Sequence, residues 1–407
     1  MTRVVITGLG CVSALGRGAA ATWSALEEGR SGIAWTKVEG VDPTLFTEAP
    51  IAQVREEDCS EPKGLLDAKG FKTLDRFCRL AVIASAEALA DASFNDAGYD
   101  PDDVAIIFGS STGGLTSLEE SYFRIYGQRA GRVHPMTVPR FMGSGAASVV
   151  SLTFGFSGPA WCISSACASS SHAIAEAAYL IKAGRAKAVL AGGSEASITY
   201  GHTLAWQRLG ALAKDVCRPF SINRTGMALA EGAAALVLED YDAARKRGAT
   251  IYGEVTGAGY SSDAYHLTQP KTEGAAKAIR QALKQSGLPA DTRFLISTHG
   301  TGTELNDVSE AAALRSVFAD RLDDHVAIAT KSSHGHLLGA TGALELAVGL
   351  LALKNGLAPQ VCNFEGPDPA CLLPLAVDGP KPIKDVALLS NSFAFGGLNS
   401  VLVVSSV

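Results

Sequence analysis

Short apolar runs that end in Gly or Ser clusters and then pass into helical patterns recur along the chain. This alternation constrains the fold more than any other feature. Residues 4–7 lead into Gly8-Leu9-Gly10, and residues 104–108 into Gly109-Ser110-Ser111-Thr112-Gly113-Gly114. Residues 188–191 precede Gly192-Gly193, residues 294–297 precede Thr298-His299-Gly300, and residues 386–389 precede Ser390-Asn391-Ser392. Helical periodicity occupies 79–92, 172–183, 275–286, 308–318 and 342–354 between them. Strands alternating with helices predict an α/β fold with parallel strands. The strands are almost wholly apolar, as expected where helices cover both faces of a sheet.

The 407 residues are too many for one small core, so two domains or a large duplicated one are expected. Charged residues are 19% against about 25% in average proteins, which excludes disorder and points to deep burial or a covered subunit interface. A charged stretch at 240–250 separates two apolar strands, and the boundary between halves is placed there, giving 1–245 and 246–407. No repeat at the level of residues is evident between the halves. The net charge of −6 with no basic run disfavours nucleic acid. No apolar stretch reaches the roughly 18 residues that span a bilayer. The N-terminus enters a strand directly, without the layout of a signal peptide, so a cytoplasmic protein is expected. The eight cysteines include no CxxC pair, which argues against zinc or a redox dithiol.

Four segments carry candidate chemistry. Cys167 lies in the small-residue run Ser164-Ser165-Ala166-Cys167-Ala168-Ser169, where a helix pattern begins. A helix N-terminus favours a thiolate nucleophile, and the alternative is an inert buried cysteine. His299, in His299-Gly300-Thr301-Gly302-Thr303, follows a strand, where open α/β sheets place ligands; otherwise it is a turn residue capping the next helix. The third segment runs from Lys331 to Glu345 and contains His334-Gly335-His336. An HxH pair invites a metal, but further ligands at suitable spacing are lacking, so no metal is expected. A Lys and a Glu beside His336 can instead set its position and tautomer. Asn391-Ser392-Phe393-Ala394-Phe395-Gly396-Gly397 is a glycine-rich loop whose N–H groups could form an oxyanion hole, or simply a tight turn. A competing pattern is Gly109-Ser110-Ser111-Thr112-Gly113, which matches a nucleophile elbow. With Asp263 and His299 it would make Ser111 the nucleophile of a serine hydrolase.

Together the four segments resemble the elongating β-ketoacyl-[acyl carrier protein] synthases of the Cys-His-His class. The resemblance rests on Ser165 to Ser169, on His299-Gly300-Thr301-Gly302-Thr303, on Lys331 to His336 and on Asn391 to Gly397, all in family order. Val5-Ile6-Thr7-Gly8-Leu9-Gly10 and Cys217-Arg218-Pro219-Phe220 add to it. It implies a thiolase fold, with duplicated halves of five strands each in a five-layer α-β-α-β-α arrangement. It implies Cys167 as nucleophile, His299 and His336 as catalytic histidines, and Lys331 and Glu345 as their charged support. Phe395, with Phe393 in the same loop, resembles the gate whose backbone N–H joins that of Cys167 in the oxyanion hole. Thr301 and Thr303 resemble contacts to a phosphopantetheine arm. The implied reaction is decarboxylative condensation of an acyl-Cys167 enzyme with malonyl-acyl carrier protein, in fatty acid or polyketide synthesis, with no cofactor beyond the carrier's own arm.

The implied partners are an acyl carrier protein and either a second copy of the chain or a chain-length-factor paralogue. Carrier proteins are acidic, so the basic segment Lys69, Lys72, Arg76 and Arg79 is the expected docking patch, unless it simply faces water. Three stretches depart from the family pattern. Ala394 stands for Gly, which would restrict the gate backbone; Leu398 stands for Thr; and Arg224-Thr225-Gly226-Met227 replaces Arg-Asp-Gly-Phe. These departures resemble specialised nodulation- or polyene-type synthases more than housekeeping ones.

Overall fold

The computed structural model describes residues 2–42, 44–62 and 68–407. Ten strands of the described residues form one continuous path. The first half supplies β1 (Val4–Ser13), β2 (Val104–Gly109), β3 (Ala160–Ile163), β4 (Ala188–Glu195) and β5 (Gly232–Asp240). The second supplies β6 (Gly253–Ser262), β7 (Arg293–Ser297), β8 (Val326–Ile328), β9 (Val386–Ala394) and β10 (Leu398–Ser405). Their order is β8-β7-β9-β10-β6-β1-β5-β4-β2-β3. Each half therefore has its third, second, fourth, fifth and first strands side by side, and the two arrays meet at their first strands. That junction is brief, pairing Val5 with Glu254 and Ile6 with Gly253 in antiparallel fashion. The two five-stranded sheets implied by the resemblance thus run together edge to edge. Within each half the pairs β4–β2, β2–β3, β7–β9 and β7–β8 are parallel, and the remaining pairs are antiparallel.

The helices that matter are α1 (Arg76–Asp91), α2 (Ser169–Lys182), α3 (Tyr200–Leu209), α4 (Thr272–Ser286), α5 (Glu304–Phe318) and α6 (Thr341–Asn355). Three large cores define five layers. One joins α1 to the outer face of the first sheet, and another joins α4 and α5 to the outer face of the second. The third lies between the sheets and is built around α2 and α6. In α6 every residue from Thr341 to Ala352 is buried, as suits a helix that is apolar on nearly all sides. The low charge content follows from this central layer.

The halves do carry a repeat at the level of residues. Thr7-Gly8-Leu9-Gly10 in β1 matches Thr256-Gly257-Ala258-Gly259 in β6, each just after a bulge in its strand pairing. A Cβ on Gly8 or Gly10 would lie 2.2 or 2.0 Å from carbonyl oxygens of α1; on Gly257 or Gly259 it would lie 2.2 or 2.0 Å from those of α4. The bulged strands turn N–H groups toward these helices. Leu9 and Cys11 donate to the carboxylates of Asp91 and Glu87 at 2.9 and 2.8 Å. Ala258 and Tyr260 donate to the amide oxygens of Gln285 and Gln281 at 2.6 and 3.2 Å.

Gly10→Ala and Gly259→Ala should each destabilise the protein by about 1–3 kcal/mol or more, the cost of overpacking a rigid contact. Gly131→Ala, with nothing within 4 Å of its added Cβ, should be near neutral. Urea midpoints measure all three, and equal midpoints would contradict the close-contact account.

Candidate active site

Cys167 sits at a strained elbow. Ala166, just before it, has φ 49°, a left-handed conformation that a non-glycine residue adopts at a cost. Ser169 clamps the elbow, its hydroxyl accepting from the Ser165 N–H at 2.9 Å and donating to the Ala166 carbonyl at 2.7 Å. Small residues are needed here because strand, elbow and helix meet within one turn. The second half approaches the same point. Ala343 at the start of α6 donates to the Ser170 hydroxyl at 2.9 Å, and the hydroxyls of Ser171 and Ser392 lie 2.8 Å apart.

Both histidines face the sulfur. His336 Nε2 is 3.1 Å from Cys167 Sγ, and its Nδ1 is 2.9 Å from Thr341 Oγ1. The His299 ring stands edge-on to that of His336, with centroids 5.5 Å apart. Donor atoms of Cys167, His299 and His336 all fall within 4.8 Å of one another. The backbone N–H groups of Cys167 and Phe395 approach the sulfur and favour its negative form. The backbone of His299 is anchored by Glu310, which accepts from the N–H groups of His299 and Gly300, both at 2.8 Å.

Lys331 is wholly buried. Its ammonium donates to Glu345 Oε1 at 2.7 Å and to the His299 carbonyl, and lies 3.4 Å from His299 Nδ1. An ammonium has only donors, so His299 Nδ1 accepts and its ring proton sits on Nε2. Burial, reinforced by the Lys331 charge, holds both histidines well below the usual imidazole range and therefore neutral. Burial also raises the Glu345 carboxyl to about 7, against the pull of Lys331. The Cys167 thiol is pushed up to about 11 by burial, which Lys331 and the two N–H groups only partly offset. The helix-terminus argument anticipated a thiolate; burial outweighs it and favours the thiol form.

A cavity of about 390 Å³ opens onto this centre and is lined by Thr301, Thr303, Trp206, Met227, Phe393 and Phe395. The hydroxyls of Thr301 and Thr303 lie 2.8 Å apart along its wall. Ala394, expected to restrict the loop, has φ −102° and ψ 156°, extended backbone open to any residue. The conformations that favour glycine fall at Gly396 (φ 81°) and Gly397 (φ 69°) instead. Leu398 packs with Ala394 against Cys167 and Ala168.

The alternative groupings, and one expected grouping, are not assembled. The Ser111 hydroxyl donates to Glu195 at 2.5 Å, while Asp263 is occupied by the Lys271 N–H and Asn399. No hydrolase triad forms with His299. His334 does not join His336 as a ligand pair: its Nδ1 donates to the Gly335 carbonyl at 2.7 Å and its Nε2 lies 2.9 Å from Thr330 Oγ1. In the basic segment Lys72 is exposed and Arg79 half buried, but Arg76 turns inward to Glu231 at 2.7 and 2.8 Å and to the Val54 carbonyl. Arg76 is an internal strut, removed from the docking patch because Glu231 stands buried behind it. The side chain of Lys69 lies outside the described residues. Sequence reasoning missed Glu310, Thr341, Trp206 and Glu195. A signal existed for Glu310, an acid on the apolar face of α5.

Residues 1–244 match the model of the β-ketoacyl synthase N-terminal domain, and residues 252–365 that of the C-terminal domain. The chain belongs to the β-ketoacyl synthase family. Nodulation protein E of Rhizobium sp. (strain N33) is 39% identical to this family member, over 100% of this chain and 99% of that one. A 3-oxoacyl-[acyl-carrier-protein] synthase 2 of Synechocystis sp. is 36% identical, over 98% and 97%. The solved ishigamide ketosynthase/chain length factor superposes with a TM-score of 0.91 at 29% identity, covering 100% of this chain and 99% of that one. The nodulation relative agrees with the resemblance to specialised synthases drawn from positions 225, 227, 394 and 398.

His334 provides a pH test of this synthase core. Burial, with the Lys331 charge, lowers it to about 3. The unfolded chain takes up that proton near pH 6.5 and the folded chain does not. Stability is thus present above about 6.5 and is lost toward pH 3, by about 1.4 kcal/mol per unit. Between pH 7 and 5, urea stability of His334→Gln should fall by about 2 kcal/mol less than that of the parent. Equal slopes would refute a neutral buried His334.

Proposed function

We propose that the protein is a β-ketoacyl-[acyl carrier protein] synthase that extends an acyl chain by two carbons. Cys167 Sγ attacks the acyl carbonyl of a carrier thioester, and the phosphopantetheine sulfur departs. His336 Nε2 takes up the thiol proton and returns it to the leaving sulfur. The N–H groups of Cys167 and Phe395 bear the charge of the tetrahedral oxyanion. Malonyl-carrier protein then enters along Thr301 and Thr303 and loses carbon dioxide. The enolate is held by N–H donors of His299 and His336. The Thr341 hydroxyl can give or take a hydrogen bond, so it tolerates His336 as acceptor at Nε2 in the first half and as donor there in the second. The enolate carbon attacks the Cys167 thioester, releasing the thiolate. We assign the thiol to the half spanning 1–245 and the histidines to that spanning 246–407.

The observation that carries this reading is the convergence of Cys167 Sγ, His336 at 3.1 Å and His299, whose donor atoms all lie within 4.8 Å of one another at the end of the cavity. We place the reaction in the cytoplasm, a setting suited to eight unpaired cysteines. Among the described residues, no helix is long and apolar enough to cross a membrane. The carrier partner is supported by the name of the Synechocystis relative, and Lys69, Lys72 and Arg79 make up the proposed docking patch once Arg76 is set aside. We also propose that the unit is a dimer, formed with a second copy or with a chain-length-factor paralogue. Tyr126, Val138 and Leu152 are 75%, 57% and 83% exposed, an apolar surface that a subunit would cover. The ketosynthase/chain length factor relative favours the paralogue.

Cys167→Ala should abolish condensation of acyl- with malonyl-carrier protein while leaving the fold intact, followed by product mass spectrometry. Full condensation by that variant would defeat the proposal. Condensation that appears only on adding a paralogous subunit, with Cys167 intact, would establish the heterodimer. Lys331→Ala should slow malonyl decarboxylation at least about 100-fold, within the usual range for positioned acid–base groups. Unaltered decarboxylation by that variant would remove Lys331 from the mechanism.

A further inference from the structure

Helix α3 forms one wall of the active-site cavity. The ring of Trp206 stacks on that of Phe395, with centroids 5.7 Å apart and 29° between planes. The indole N–H donates to His202 Nε2, one helical turn earlier, at 2.9 Å. His202 Nδ1 lies 2.8 Å from the carbonyl oxygen of Ser197. A carbonyl only accepts, so Nδ1 carries the ring proton and Nε2 is left as the acceptor that the indole needs. The backbone at Ser197 thus sets the tautomer of His202, and His202 sets the orientation of Trp206. Thr199 fixes the start of the helix: its hydroxyl accepts from the His202 N–H at 3.4 Å and donates to Glu119 at 2.6 Å.

Phe395 needs such an outside support. It lines the cavity yet is 37% exposed. Gly396 and Gly397 follow it, both in left-handed conformations, so the backbone just after the ring is permissive and does not hold it by itself. The indole is an aromatic surface already locked at its polar end.

We propose that His202, acting through Trp206, is a positioning residue for Phe395, holding its ring across the cavity that leads to Cys167. This rests on the reading of Phe395 as the gate to Cys167. When the chain His202–Trp206–Phe395 is broken, the ring swings away more often and bulky groups reach the thiol more readily. A small reagent gains little.

Alkylation of Cys167 in the full chain, followed by peptide mass spectrometry, tests this. The quantity read is the rate with N-phenylmaleimide divided by the rate with iodoacetamide. His202→Leu should raise this ratio about fivefold, the worth of one neutral hydrogen bond. Trp206→Phe keeps a ring for stacking and removes only the donor; it should act in the same direction with an unchanged thermal midpoint, and it carries the test if His202→Leu folds poorly. Phe395→Ala should also raise the ratio, and adding His202→Leu to it should change nothing further. If Phe395→Ala raises the ratio while His202→Leu and Trp206→Phe do not, the positioning role is overturned and the gate stands. A ratio unmoved by Phe395→Ala overturns the gate and this inference together.

Discussion

The buried ammonium of Lys331 is the group on which the active centre depends. A charge removed from water costs several kcal/mol unless its partners are close and well aligned. Here the partners are Glu345 on α6 and the backbone and ring of His299 beyond β7. Satisfying the charge therefore fastens a loop of one element to a helix of another. Burial, reinforced by the same charge, keeps His299 and His336 unprotonated, and the ammonium obliges His299 to carry its proton on Nε2. Burial and one cation together decide the protonation state of the site, with no separate device for each histidine.

That cation lies where the architecture converges. Both halves share one strand order, and their central helices α2 and α6 begin close together, joined through Ser170 and Ala343. The first half delivers a sulfur on a strained elbow, and the second delivers two imidazoles. Glu195 ties them further: its carboxylate accepts from Ser111 and Thr112 of one half and from the Gly339 N–H of the other, at 3.0 Å. The segment that looked like a serine nucleophile is thus a structural brace. Its hydroxyls are spent on an acid that holds the turn just before Thr341.

The candidate groups were legible because their neighbours are unusual. Cys167 lies among small residues, His299 and His336 among Gly and Thr, and Phe395 before two glycines. The duplication was harder to see. Its clearest trace is a four-residue match, Thr7-Gly8-Leu9-Gly10 with Thr256-Gly257-Ala258-Gly259, whose importance lies in contacts with helices about seventy and twenty residues downstream. Arg76 was misjudged for a related reason. A basic residue in a basic run resembles a surface group until Glu231, 155 positions away, is found beneath it.

By itself the sequence determined the strand–helix alternation, the apolar strands and the candidate residues Cys167, His299, His336, Lys331 and Glu345. These follow from local patterning and from residue types that have few other uses in such settings. Tertiary structure alone decided the protonation states and the directions of side chains. Enclosure favoured the thiol form of Cys167 where a helix terminus suggested a thiolate. It turned His334 away from His336, drew Arg76 inward and set Trp206 against Phe395. Each of these outcomes depends on how much water is excluded and which distant group fills its place, and that is a property of the packed molecule.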